Sequence, residues 1–294
     1  MGSVVCVGLT TLDVVQVVDR VPGPDEKVVA HDGWTAFGGP AANAAATCAA
    51  LGVEVRLVTA LGTGAVAGLV RAGLVDAGVE MVDLAPDAAG LLPVSAVLVT
   101  GSSRAVVSRN AGAAPDLSVA AADVLAAGTG DVVLVDGHHL GAATVLATRS
   151  AGATVLADGG SWKPGLEGLL AHVDVAVLSA DFHLPMHDGP GTCGPARGGA
   201  DLLAAVAALG PAVVAQTRGA GAVRVRTADG AVSQIDPPPV PVVDTLGAGD
   251  VLHGAVAAAL ARGADPLAAV EAGVTVASRS VQFRGALGWA RDGR

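Results

Sequence analysis

Lysine, tyrosine and asparagine are nearly missing from this chain. Its 294 residues include two lysines (Lys27 and Lys163), two asparagines (Asn43 and Asn110), one isoleucine (Ile235) and no tyrosine. With 17 Lys+Arg against 27 Asp+Glu the formal net charge is −10, which argues against a non-specific nucleic-acid binder, since duplex binding needs a basic surface that releases counterions. Cysteine is also scarce. Cys6, Cys48 and Cys193 are odd in number and widely spaced, with no CxxC, so neither a zinc ribbon nor a disulfide framework is implied. Reduced thiols in a cytoplasmic protein, at least two of them buried, are expected. Long apolar runs are absent too. Val256–Ala261 ends at Arg262 and Val119–Ala122 at Asp123, well short of the roughly 18 residues of a spanning helix. Met1–Val18 has no basic leader and its apolar stretch is interrupted by Asp13, so it does not read as a secretory signal.

What is present is small and apolar. Hydrophobic residues make up 52% and charged residues 15%, the reverse of a disordered chain. The length suits one large α/β domain or slightly more. Short β-branched runs alternate with Ala-rich segments: Val4–Val7, Ala41–Ala50, Val53–Thr59, Val66–Ala77, Val132–Val135, Ala142–Ser150, Thr154–Ala157, Val173–Leu178, Leu202–Ala208 and Val213–Thr217. That alternation predicts a mostly parallel sheet covered by helices, with strands buried on both faces. Two stretches break it. Residues 14–37 hold strand-like pieces around Pro22, Gly23 and Pro24, and Val94–Thr100 with Arg104–Arg109 flank a turn at Gly101–Ser103. Together they suit a small second sheet. Two long helices are expected at Gly249–Arg262 and Pro266–Gln282.

The segment Val243–Asp244–Thr245–Leu246–Gly247–Ala248–Gly249–Asp250 runs straight into an apolar helix. A Gly-Ala-Gly turn opening a helix leaves unpaired backbone N–H groups and a positive dipole end, which favour an anion such as a phosphoryl group. Asp250 can take the proton of an attacking hydroxyl, or it can simply cap the helix. The octet alone leaves both readings open. A P-loop is absent, and Gly8–Asp13 is not GxGxxG, so a dinucleotide dehydrogenase loses its support. Upstream, Gly38–Gly39–Pro40–Ala41–Ala42–Asn43 opens another Ala-rich helix. Asn43 suits a sugar hydroxyl, or packs as a satisfied buried amide. Asp13, past the first strand, lies where α/β sheets place ligand groups, and could equally be a solvated loop carboxylate.

These two segments together resemble the signatures of the ribokinase-like family of carbohydrate kinases, and the resemblance covers nearly the whole chain. It implies an α/β fold with a mostly parallel central sheet flanked by helices and a small β-sheet lid, with residues 1–12, 38–92 and 110–294 in the kinase core and 13–37 and 93–109 in the lid. It also implies ATP, Mg2+, K+ as a candidate activator, a sugar substrate and a homodimer through the lid. By the same resemblance Asp250 is the base, and the backbone of Gly247, Ala248, Gly249 and Asp250 forms an anion hole. Asp13, Gly38, Gly39, Asn43, Asn110 and His138 fall to the sugar. Thr217, Gly219, Gly221 and Arg104 fall to the nucleotide, and Val274 and Ala277 to adenine or to helix packing. Within the family the chain is similar to the ketohexokinases and to the bacterial 6-deoxy-6-sulfofructose kinases, which points to a ketose-like acceptor. A sulfofructose kinase, a nucleoside kinase and a non-catalytic sugar-binding protein are the alternatives. Where many members have Asn-x-x-Glu, this chain reads Ser179–Ala180–Asp181–Phe182, leaving Asp181 as the metal candidate.

Overall fold

The computed structural model describes residues 2–101, 103–109, 117–124, 130–185 and 200–291. In chain order its first half runs β1 (Ser3–Val7), β2 (Thr11–Val17), β3 (Asp32–Gly38), α1 (Pro40–Ala50), β4 (Glu54–Thr59), α2 (Ala65–Asp76), β5 (Glu80–Asp83), β6 (Val94–Val99), β7 (Arg104–Ser108) and α3 (Ser118–Val124). Its second half runs β8 (Val132–Val135), α4 (Leu140–Arg149), β9 (Thr154–Gly159), α5 (Leu166–Leu170), β10 (Val175–Leu178), α6 (Ala200–Ala207), β11 (Val213–Arg218), β12 (Gly221–Arg226), β13 (Val232–Ile235), α7 (Ala248–Ala261), α8 (Pro266–Ser280) and α9 (Gly288–Arg291).

Nine strands form one sheet in the order β13-β12-β11-β10-β9-β8-β1-β4-β5. It is parallel from β11 to β5 and ends in an antiparallel hairpin, β12–β13. The expected α/β fold with a mostly parallel, helix-flanked sheet is therefore present. Inner strands such as β8 (VVLV) and β10 (VAVL) are buried at every position, as continuous apolar runs require. The second sheet is also present. Its order is β3-β2-β6-β7, with β2 and β6 joining the two inserted stretches in parallel. The expectation missed the β12–β13 hairpin: Thr217–Gly221 lies at the β11–β12 turn, with β11 continuing through Arg218. Asp13 lies inside β2 of the small sheet, and not in a loop after β1.

Two helices with almost no polar face lie at the centre. Ala41–Cys48 of α1 and Val251–Ala258 of α7 are buried without a break. A helix apolar all round belongs in the core, and α7 lies against α1, α8, β1, β8 and β9. The abundant alanine and glycine make this close approach possible. A Cβ placed on Gly254 of α7 would stand 2.5 Å from the Ala44 carbonyl oxygen and 2.7 Å from the Thr47 Cβ. The Cys48 thiol donates to the Gly254 carbonyl at 3.1 Å, so the same contact is also hydrogen-bonded. Cys6 and Cys48 are both buried free thiols, and Cys193 lies outside the described residues. Among the described residues no helix is long and apolar enough to cross a membrane.

The tight α1–α7 seam predicts that Gly254→Ala lowers unfolding free energy by about 1–3 kcal/mol, the usual cost of overpacking. An unchanged midpoint in urea denaturation would show that the seam is slack.

Candidate active site

The start of α7 combines an exposed backbone with a fixed carboxylate. Gly247 is the N-cap with φ +73°, and no side chain caps the helix. Glycine is required there because φ is positive and because a Cβ would overlap Ala286. The loop before it is held by Asp244, which accepts from Leu246 N at 2.9 Å and Gly285 N at 2.8 Å. Ala248 N donates to the Thr245 carbonyl at 3.3 Å. Among the described residues Gly247, Gly249 and Asp250 show no acceptor for their N–H groups, and the space above Gly249 is open. This end of the helix thus presents three free amides, an arrangement that favours an anion, with Ala248 already partnered.

Asp250 is half-buried in the first turn of α7 and does not cap it. Its Oδ2 accepts from Asn43 Nδ2 at 2.7 Å, a bond between residues 207 positions apart. Burial, and then the charge of Asp158, push the Asp250 carboxyl up to about 7, while the Asn43 bond and His253 pull it down. Asn43 itself is buried in α1, and its amide nitrogen is spent on Asp250. The sugar-contact role expected for Asn43 thus acquires a second task, orienting Asp250.

Asp13 takes a 2.7 Å hydrogen bond from Thr11 Oγ1 and lies directly against Gly38, where any Cβ would overlap its carboxylate. Gly39 is the N-cap of α1, with Pro40 in the first turn, and its carbonyl accepts from Asn43 N at 3.0 Å. Asp13 thus lies against Gly38, Gly39 is bonded to Asn43, and Asn43 is the member of this group that contacts Asp250. His138 follows β8, where burial lowers its pKa. Its N–H donates to Asp136 Oδ1 at 2.8 Å. Arg104 begins β7 and donates from Nη1 to the Thr245 carbonyl at 3.0 Å and to Thr245 Oγ1 at 3.1 Å, tying the small sheet to the loop that opens α7.

The remaining candidates stand farther apart in character. Thr217 bonds the Leu178 carbonyl at 3.2 Å, Gly219 turns the β11–β12 hairpin with φ +61°, and Gly221 starts β12. Val274 and Ala277 of α8 are buried in the core. The Asp181 side chain is exposed beyond β10 and Phe182 is buried. Asn110 lies outside the described residues. Among the described residues no group of three or more His, Cys, Asp or Glu could hold a metal ion.

Three residues were not legible as site members. Asp136 follows β8 and accepts backbone N–H bonds from Leu9 at 2.7 Å, Ala41 at 3.2 Å and His138, locking together the start of α1 and the ends of β1 and β8. Asp158 of β9 and His253 of α7 lie 3.2 Å apart below it. A carboxylate at the C-terminal end of an inner parallel strand was the available signal.

A family model described as pfkB family carbohydrate kinase matches residues 1–289. Among solved structures, ribokinase from Giardia lamblia is similar at TM-score 0.79 and 15% identity, covering 100% of both chains. Arabidopsis thaliana ribokinase complexed with ribose and ATP is similar at 0.72 and 21%, covering 98% of this chain and 95% of that one. The Methanocaldococcus jannaschii nucleoside kinase is similar at 0.69 and 16%, covering 97% and 93%. These likenesses concern the fold.

Replacing Asn43 with Ala removes the Asp250 donor. Unfolding free energy should fall by about 1–3 kcal/mol, and the Asp250 midpoint should rise, because the lost bond held the carboxyl down. Urea denaturation and a carboxyl titration by NMR check both.

Proposed function

The chain belongs to the pfkB family of carbohydrate kinases, and from that premise we propose that it transfers the γ-phosphoryl group of ATP to a hydroxyl of a small ketose-like sugar, with Asp250 as general base. The observation that carries the reading is the start of α7, where a carboxylate poised near neutrality stands next to three unpaired backbone N–H groups. Asp250 accepts the hydroxyl proton as the oxygen attacks phosphorus. The amides of Gly247, Gly249 and Asp250 stabilise the charge on the transferring group without a lysine. Asn43 fixes the carboxylate, and Asp13 beside Gly38 and Gly39 accepts from sugar hydroxyls. Arg104, already bonded to Thr245, brings a positive charge to the nucleotide side of that loop. Mg2+ would be held by the phosphates and Asp181, and it supplies charge neutralisation of the triphosphate.

The ketose preference rests on the sequence likeness to ketohexokinases and sulfofructose kinases. Pro40 stands where ketohexokinases carry Asn, which removes a side-chain contact to the sugar. His138 stands where sulfofructose kinases carry Arg, and an imidazole holds a sulfonate less firmly than a guanidinium fork. A neutral ketose is therefore favoured over the sulfosugar. The lid is proposed to pair two copies in the cytoplasm, with β7 carrying exposed Val106 and Val107 at its edge.

ADP release should be tested with ATP·Mg2+ against fructose, other ketoses, ribose, sulfofructose and adenosine. A ketose is expected to turn over fastest, and activity on adenosine alone would overturn the sugar reading. Asp250→Asn should cut kcat by about a hundredfold to ten-thousandfold while nucleotide binding by calorimetry persists. Because the Asp250 pKa is raised, its base form is lost as pH falls. The wild-type kcat/KM should therefore drop as pH decreases through about 7. A profile flat down to the ordinary carboxylate range would exclude Asp250 as the base.

A further inference from the structure

Three residues beyond Asp250 on α7, and so on the same side of the helix, the His253 ring is buried between two acceptors. Its Nε2 lies 3.0 Å from the Val177 carbonyl of β10. A carbonyl only accepts, so Nε2 carries the hydrogen. Nδ1 faces Asp158 of β9, 3.2 Å from Oδ2, at an angle that forms no hydrogen bond. Nδ1 is thus the ring position that can gain or lose a proton, and it lies against a carboxylate only 8% exposed. An ionised carboxylate at that depth is costly unless something compensates its charge. We propose that His253 and Asp158 form a buried counter-charge pair on the Asp250 side of α7, the imidazole offsetting the Asp158 charge that would otherwise bear on Asp250.

Both are positioning residues, and the inference rests on the reading of Asp250 as the base. The groups around the pair can be named. Asp250 feels Asn43 from α1, Asp158 from β9, Asp136 from the end of β8 and His253 from its own helix. Asp158 feels His253, Asp136 and Lys163, and burial raises its own pKa. Two of these groups, Asp158 and Asp136, oppose ionisation of Asp250, and the three backbone donors of Asp136 already stabilise its charge. The Asp158 charge is therefore the adjustable one. Without His253 it would drive a proton onto Asp250, and without Asp158 that pressure would vanish.

Carboxyl-carbon NMR titration of the intact protein, with Asp250 assigned from the D250N spectrum, reads this directly and needs no substrate. D158N should lower the Asp250 midpoint and H253Q should raise it, each by about one unit. The double variant D158N/H253Q should return toward wild type. A midpoint unmoved in both single variants, or moved in the same direction in both, overturns the proposal. Should H253Q fail to fold, D158N decides alone, and a midpoint that does not fall is fatal to it. Retained turnover by D250N with ATP·Mg2+ and a sugar would instead remove the general-base reading while leaving the titration shifts in place.

Discussion

The hydrogen bond from Asn43 to Asp250 is the contact on which the site depends. It joins the first turns of α1 and α7, which the chain places 207 residues apart, and it can form only because those helices approach closely. Gly254, Ala44 and Thr47 leave no room for another methyl group between them, and the Cys48–Gly254 bond closes the seam from within. The alanine-rich composition is therefore a packing requirement of two centrally buried helices. Bulkier side chains on either would hold the two motifs apart and leave the Asp250 carboxylate without its donor.

Three carboxylates gather at the C-terminal ends of β8 and β9 and the start of α7, and their surroundings give them different tasks. Asp136 receives three backbone N–H bonds and acts as a lock. Asp158 has His253 at its side, and burial raises its pKa. Asp250 has one amide donor and is half-buried, and its carboxyl is pushed up to about 7. A carboxylate that must exchange a proton cannot be as well satisfied as one that only holds backbone in place. The single donor to the Asp250 carboxylate accords with the proposed role as base, and burial and the Asp158 charge push that carboxyl up.

How much of this could be read from the chain follows from how local each signal is. The inner strands announced themselves because continuous valine runs bounded by glycine fit no exposed structure. The two glycine-led helix starts were visible because the backbone they require is encoded within six to eight residues. The small sheet was legible as two interruptions, but not the β2–β6 pairing that joins them, which is a contact at long range. His253 was silent, and Asp158 showed only as a carboxylate near the end of an inner strand. One sits in an apolar strand and the other in an apolar helix, and neither is preceded by turn chemistry. Only the fold brings them together. Thr217–Gly221 was recognised as a loop, but the strand it returns as, β12, could not be told from the hairpin's modest alternation.

The near absence of lysine acquires a structural meaning at the start of α7. A site that binds phosphate through lysine can tolerate backbone movement, because a long side chain follows its target. A site built on backbone amides cannot, since the donors are as rigid as the turn that aims them. Here that turn is fixed from three directions: Asp244 ties it to Gly285, Gly247 packs on Ala286, and Arg104 reaches across from the small sheet to Thr245. The last of these is the only one of the three contributed by the inserted strands. Any shift of the small sheet would be felt at Thr245, two residues before the free amide of Gly247. In this fold the small sheet and the loop that opens α7 are thus mechanically linked through Arg104 and Thr245.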